Sequence, residues 1–217
     1  MTDCEMSIML ASVFRKLEKE GFLKKPINSP IRIGVSNRHV HLDRNAMDML
    51  FGTDSALTRR NNLGQPGQYA SEETLTLRGP KGEIKRVRVL GPLRAKCQVE
   101  ITVSDGYRLG VEAPVRDSGD LEGTPGLELI GPKGSLTLEK GVIVAGRHVH
   151  MTPLDAAIYG VKDRDLVSVE IAGPRGALLR NVLIRVSDTA GLEMHIDVEE
   201  ANALGVKNGM PGEIVIG

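Results

Sequence analysis

The stretch Ile31-Arg32-Ile33-Gly34-Val35-Ser36-Asn37-Arg38-His39-Val40-His41-Leu42-Asp43 decides the reading of this chain. It returns as Val142-Ile143-Val144-Ala145-Gly146-Arg147-His148-Val149-His150-Met151-Thr152-Pro153, with His148 standing 109 residues after His39. Each copy is an apolar β-type run, an Arg-His-Val-His tetrapeptide, and then a residue suited to cap a helix. Side chains two apart in a strand share a face. His39 and His41 therefore present two imidazoles to one side, while Val40 faces the other way and is free to enter a core. His148, His150 and Val149 repeat that arrangement. A repeat of this length is a domain-scale duplication and not a solenoid.

Outward from these segments the texture stays β. Strands are expected at Ile31–Val35, Thr74–Arg78, Ile84–Leu90, Gln98–Val103, Val142–Ala145, Leu166–Ile171, Asn181–Val186 and Glu213–Ile216, many separated by Gly-Pro or Asp-Gly turns. Gly79-Pro80-Lys81-Gly82 recurs as Gly173-Pro174-Arg175-Gly176, with a further copy at Gly131–Gly134. Short helices are signalled after Asp43 up to Gly52, after Thr152-Pro153 up to Gly160, and after Asp197 up to Gly205. The pattern predicts a mainly β protein: two β-barrel domains from an internal duplication, with short capping α-helices. Met6, Met9, Leu10, Val13, Phe14 and Leu17 add an N-terminal amphipathic helix over residues 5–20, followed by an extended linker around Pro26 and Pro30.

Composition excludes several classes. The 217 residues carry 28 Lys+Arg against 28 Asp+Glu, so bulk positive charge for nucleic-acid binding is absent. No apolar run approaches the roughly 18 residues of a membrane-spanning helix. Cys4 and Cys97 cannot form a disulfide framework, and the compartment expected is a reducing one. With 25 Gly, 11 Pro and no Trp, the cores must be built from Val, Ile and Leu.

The chemistry rests on the five histidines. Counted from the Gly-Pro turns at Gly79 and Gly173, Glu100 lies 21 residues on in the first half and His195 lies 22 on in the second. Each half thus offers a His-x-His pair and one further donor: His39, His41 and Glu100, and His148, His150 and His195. Three protein donors are typical of catalytic zinc with an open position. A single closed four-His site is the alternative, and imidazole and carboxylate also suit cobalt or manganese. Two dications on five neutral imidazoles and one carboxylate leave an excess of about +3, which favours anionic ligands. Arg94, six residues before Glu100, is the natural clamp for phosphate because its guanidinium donates two parallel bonds. Arg38 and Arg147 share a face with the central valines and read as structural, or as contacts to a large substrate. Cys97 reads as a buried structural thiol. Residues 115–126 read as a turn-rich crossover or a loop touching an extended ligand.

With these residues in view, the chain resembles the PduL-type phosphate acyltransferases, the phosphate propanoyltransferase family. The resemblance rests on Ser36–Leu42, Pro114–Asp120, Gly131–Gly134 and Gly141–Met151, and covers roughly residues 30–217. It implies two barrels exchanging the strand before each His pair, with a dinuclear zinc site between them. One domain would span 28–37 plus 146–217 and the other 38–145, after a leader over 1–25. The implied reaction interconverts acyl-CoA plus phosphate with acyl phosphate plus coenzyme A, with propionyl as the default acyl group. His39, His41 and Glu100 would hold the zinc that meets the thiol, His148, His150 and His195 the second zinc, and Arg94 the phosphate. Arg116, Ser118 and Lys133 would contact coenzyme A. The leader would direct the enzyme into the lumen of a bacterial microcompartment of propanediol degradation through shell or core enzymes, the cytoplasm being the alternative location, and a homo-oligomer is a separate expectation. No nucleic acid or membrane partner is implied. Two other readings use the same donors: a dinuclear zinc hydrolase, and a non-catalytic scaffold clamped by closed zinc sites.

Overall fold

The computed structural model describes residues 29–215, together with residues 6, 9, 10, 12, 13, 16, 17 and 20. Residues 6, 9, 10, 12, 13, 16 and 17 are helical; the rest of the expected 5–20 helix, the linker as far as residue 28, and Cys4 lie outside the described residues.

The chain forms two compact units. Unit 1 contains Met1–Ser36, Gly64–Pro66 and Arg147–Gly217, and unit 2 contains Asn37–Leu63 and Gly67–Gly146. The chain passes between units just before each Arg-His-Val-His.

Unit 1 is a closed six-stranded barrel. Its strands are β1 (Ile31–Ser36), β11 (His148–Met151), β12 (Leu166–Ile171), β13 (Ala177–Val186), β14 (Glu193–Asp197) and β15 (Pro211–Val215), in the ring order β1-β14-β11-β13-β12-β15. β1 closes the ring by pairing parallel to β14 and antiparallel to β15. Alternation places Ile31, Ile33, Val149, Val169, Ile184, Met194 and Ile196 in one apolar core.

Unit 2 forms the second barrel as a half-barrel. Its sheet has the order β7-β10-β6-β2-β5-β4-β8-β9, with β3 paired on β4, and does not close into a ring. These are β2 (His39–His41), β3 (Arg59–Asn62), β4 (Tyr69–Arg78), β5 (Glu83–Gly91), β6 (Gln98–Glu100), β7 (Val115–Arg116), β8 (Leu127–Ile130), β9 (Ser135–Leu138) and β10 (Val142–Ala145). In unit 1 one strand, β15, bridges β12 and β1. Unit 2 divides that task between β8, which pairs β4, and the two-residue β7, which pairs β10, and no ladder joins β7 to β9. Its core holds Val40, Leu77, Val89, Val99, Leu129 and Val142.

Four short helices are capped by their own sequence: α1 (Arg44–Phe51), α2 (Val103–Leu109), α3 (Pro153–Tyr159) and α4 (Val198–Leu204). Asp43 caps α1, accepting from the Ala46 N–H at 2.8 Å. The other three start with reciprocal capping boxes, Thr102/Asp105, Thr152/Asp155 and Asp197/Glu200. Helix α2 corrects the strand expected over Gln98–Val103. The β-branched alternation through Val99, Ile101 and Val103 suggests a strand, but Thr102 with Asp105 three residues on is a helix-start signal, and it prevails after Glu100.

The Gly-Pro-Lys-Gly turns have a structural task in unit 2. The Lys81 N–H donates to Leu109 O at the end of α2, and the Lys133 N–H donates to Leu50 O near the end of α1, each at 3.0 Å. A Cβ on Gly79 or Gly131 would overlap that same helix carbonyl, so only glycine permits the approach.

Candidate functional site

Two donor clusters occur among the described residues, one in each unit, and they are built by the same strand arrangement. In unit 2, β2 runs antiparallel to β6, setting His39 opposite Glu100 and His41 opposite Gln98. In unit 1, β11 runs antiparallel to β14, setting His148 opposite His195 and His150 opposite Glu193. The intervening Val40 and Val149 are fully buried in their cores, so all four polar positions of each site lie on the opposite face. Each third-donor strand also pairs with a parallel strand on its far side: Ile143 of β10 beside Glu100, and Gly34 of β1 beside His195.

The donors converge. In unit 2, His39 Nε2 is 3.4 Å and His41 Nε2 4.0 Å from the Glu100 carboxylate. In unit 1, His148 Nε2 and His150 Nε2 are 3.1 Å apart, and the His195 ring centroid lies 5.2 and 5.0 Å from theirs. Tetrahedral bonds of about 2.0–2.1 Å to one cation would separate nitrogen donors by about 3.3 Å, so the donors of both clusters stand near the spacing a first-row divalent ion needs. The buried Nδ1 of His41 has no hydrogen-bond partner. His39 donates its Nδ1–H to Asn37 O at 2.8 Å, which leaves the Nε2 lone pair facing Glu100.

Electrostatics agree with that use. Burial alone would raise the Glu100 carboxyl, but His39, His41 and Arg94 outweigh it and hold it well below the usual carboxylate range. Burial opposes a charge on His39, yet the adjacent Glu100 carries its pKa upward. Burial, then His39 and Arg94, push His41 down to about 3. Burial, then His148, His195 and Arg185, push His150 down to about 3. Two imidazoles are thus neutral and ready to ligate at physiological pH.

Arg94 enters this network in unit 2. It follows the turn Gly91–Leu93, its backbone N–H donates to Leu42 O at 2.8 Å, and its Nη1 donates to Ser118 Oγ at 3.2 Å. Ser118 in turn accepts from Gln98 Nε2 at 2.8 Å and donates to Glu100 Oε1 at 3.4 Å. Gln98 Nε2 also donates to Glu100 Oε1 at 2.6 Å, while its Oε1 accepts the Gly119 N–H at 2.8 Å. The loop after β7 is therefore tied to the donor cluster through Ser118 and Gly119. Arg116 makes a 3.6 Å ion pair with Asp120 in the same loop, and Lys133 stands exposed in its helix-capping turn.

Two further pairs mirror each other. Arg38 Nε binds Asp105 at 2.7 Å, and Arg147 Nε binds Glu200 at 2.8 Å. Each partner is the carboxylate that closes the capping box of the helix following the third donor. The arginine before each His pair thus anchors the strand and helix that carry the third donor. Cys97 is buried in the unit 2 core, its Sγ accepting the Asp43 N–H at 3.4 Å. Gln98, Asn37 and Glu193 escaped the sequence reading. Their signal is position alone: Gln98 and Glu193 each precede a third donor by two residues, hence share its face.

A repeated β scaffold with one three-donor cluster per unit, and an arginine wired to one of them, defines a class of two-unit proteins in which each unit could hold a metal ion. The family model described as phosphate propanoyltransferase matches residues 32–207. Proteins named phosphate propanoyltransferase from Rhodobacter capsulatus, Thermotoga maritima and Salmonella typhimurium are 58%, 57% and 51% identical to it. Those alignments cover 82%, 82% and 92% of this chain and 83%, 86% and 93% of the relatives. The chain belongs to the phosphate propanoyltransferase family, a family of acyltransferases.

Proposed function

We propose that this enzyme transfers a propionyl group between coenzyme A and inorganic phosphate, with one zinc ion in each unit. The observation that carries the reading is the pair of equivalent three-donor clusters, one of them hydrogen-bonded through Ser118 to an arginine. His39, His41 and Glu100 would hold one cation, and His148, His150 and His195 the other. When bound, such cations supply Lewis acidity toward a thioester carbonyl and a soft resting place for a departing thiolate.

The chain's own residues do the remaining work. Arg94 offers its guanidinium to phosphate, and Ser118 and the Leu42 carbonyl hold it in place. Phosphate is already anionic at neutral pH, so it attacks without a protein nucleophile, and positioning is the main contribution of the binding groups. The one described thiol is unsuited to attack: burial pushes Cys97 up to about 11, and it faces the core. Arg116 and Lys133 are the cations proposed for the phosphates of coenzyme A, with Ser118 shared between that loop and Arg94. The amphipathic N-terminal segment, which lies before the matched 32–207, is proposed as the address that brings the enzyme into a bacterial microcompartment.

The test is release of free thiol from propionyl-CoA, followed with and without phosphate, alongside metal analysis. Phosphate-dependent release with two zinc ions per chain is the expected result. Release that ignores phosphate would assign a hydrolase instead. Arg94→Ala should raise the KM for phosphate or lower kcat/KM by about 10²-fold or more, with metal content unchanged. Loss of metal with normal phosphate use would refute the role of Arg94.

A further inference from the structure

The two sites are not simple copies. At the place two residues before the third donor, unit 2 has an amide, Gln98, and unit 1 has a carboxylate, Glu193. Both positions face the second histidine of the pair across the antiparallel ladder, Gln98 opposite His41 and Glu193 opposite His150. Both side chains bind the third donor next to them. Gln98 Nε2 donates to Glu100 Oε1 at 2.6 Å, and the His195 Nε2–H donates to Glu193 Oε2 at 2.8 Å. The chemistry is matched in each case. A carboxylate donor accepts, and is held by an amide that donates; an imidazole donor donates, and is held by a carboxylate that accepts.

We infer that Glu193 is the positioning residue of the unit 1 metal site, the charge-exchanged counterpart of Gln98. The inference rests on the metal reading proposed above and adds a residue to it. Glu193 itself stands outside the three-donor cluster. An imidazole that gives one ring N–H to a carboxylate is fixed in tautomer and orientation, and becomes a more basic ligand through its other nitrogen. The surroundings keep Glu193 aimed. Its carboxylate packs on Gly64, where any Cβ would overlap it. The Gln65 amide supports it as well, and that buried side chain is clamped to the Gly191 backbone by two bonds, Nε2 to O at 3.0 Å and N–H to Oε1 at 3.1 Å. Gly64–Pro66 belongs to unit 1 although its sequence neighbours belong to unit 2.

The test is a double-mutant cycle on the full-length protein, read by Zn²⁺ affinity against a competing chelator and by the visible spectrum of bound Co²⁺. Glu193→Ala should weaken one of the two cations by about 10–100-fold and leave the other unchanged. Glu193→Gln should cost less, because the amide oxygen still accepts the bond. His195→Glu alone puts two carboxylates side by side and should weaken the same cation and alter its Co²⁺ spectrum. Adding Glu193→Gln to His195→Glu recreates the unit 2 pairing and should restore affinity. Additive losses in the double variant, or unchanged affinity in Glu193→Ala, would overturn the inference while the metal reading stands. His150→Ala marks the unit 1 cation; if it removes none, the metal reading itself fails, and this inference with it.

Discussion

Unit 1 and unit 2 set the same four polar positions on the same pair of antiparallel strands, yet they differ in closure and in charge placement. Unit 1 closes its ring and places its carboxylate, Glu193, beside the donors. Unit 2 leaves its sheet open and places its carboxylate, Glu100, among them. The difference teaches that the ladder register is the constant, and the donor chemistry a variable laid upon it. One scaffold thus yields a three-imidazole cluster with a carboxylate beside it and a two-imidazole cluster with the carboxylate inside it.

The sharpest way to break this comparison is to empty one site at a time. His41→Ala and His150→Ala should each cut bound zinc from two ions per chain to one. Each should lower phosphate-dependent thiol release by at least about 10²-fold, since each removes Lewis acid chemistry that the other site does not replace. Metal analysis and the thiol assay check both. If either variant keeps both ions and near-normal turnover, the two clusters are not equivalent metal sites.

A smaller effect compares the anchors. Asp105→Ala removes both the α2 capping bond and the partner of Arg38, and should destabilise the protein by about 2 kcal/mol. Glu200→Ala removes the same two features in unit 1, but its more exposed carboxylate should cost only about 1 kcal/mol. Denaturant unfolding measures both. Equal losses would show that burial of the anchor does not distinguish the units.

Least effect is expected at Cys97. Glu100 and His195 correspond, so Cys97 corresponds to Leu192, which packs against the unit 1 core. The thiol therefore fills apolar space where unit 1 uses a leucine. Cys97→Ala should leave kcat within about twofold and cost about 1 kcal/mol or more of stability. Reaction of Cys97 with a thiol reagent should be slow in the folded enzyme, because its pKa lies near 11 and only the thiolate reacts. Rapid labelling, or a large loss of turnover in Cys97→Ala, would place the thiol in the chemistry.

Much of this architecture was legible in the chain. The His-Val-His spacing, the β-rich texture and three of the four helix starts follow from local periodicity and capping residues. The same capping signal at Thr102 and Asp105 was available for α2, but β-branched residues around it competed. The strands β3, β7, β8, β9 and β14 carry weaker signals: Arg59–Asn62 is wholly polar, Val115–Arg116 is two residues long, and Glu193–Asp197 alternates charge with Met194 and Ile196. Such segments become strands because a neighbouring edge satisfies their backbone groups, and local sequence does not record that neighbour.

By itself, then, the sequence determined the repeated Arg-His-Val-His segment and the facing of each histidine pair, because a period of two in a strand needs no partner to be read. Tertiary structure alone decided which strands pair, that one ring closes and the other stays open, and that Gln98 and Glu193 hold the third donors. Those outcomes depend on ladders and side-chain contacts between residues far apart in the chain. The energy of such contacts exists only once the loops between them have closed.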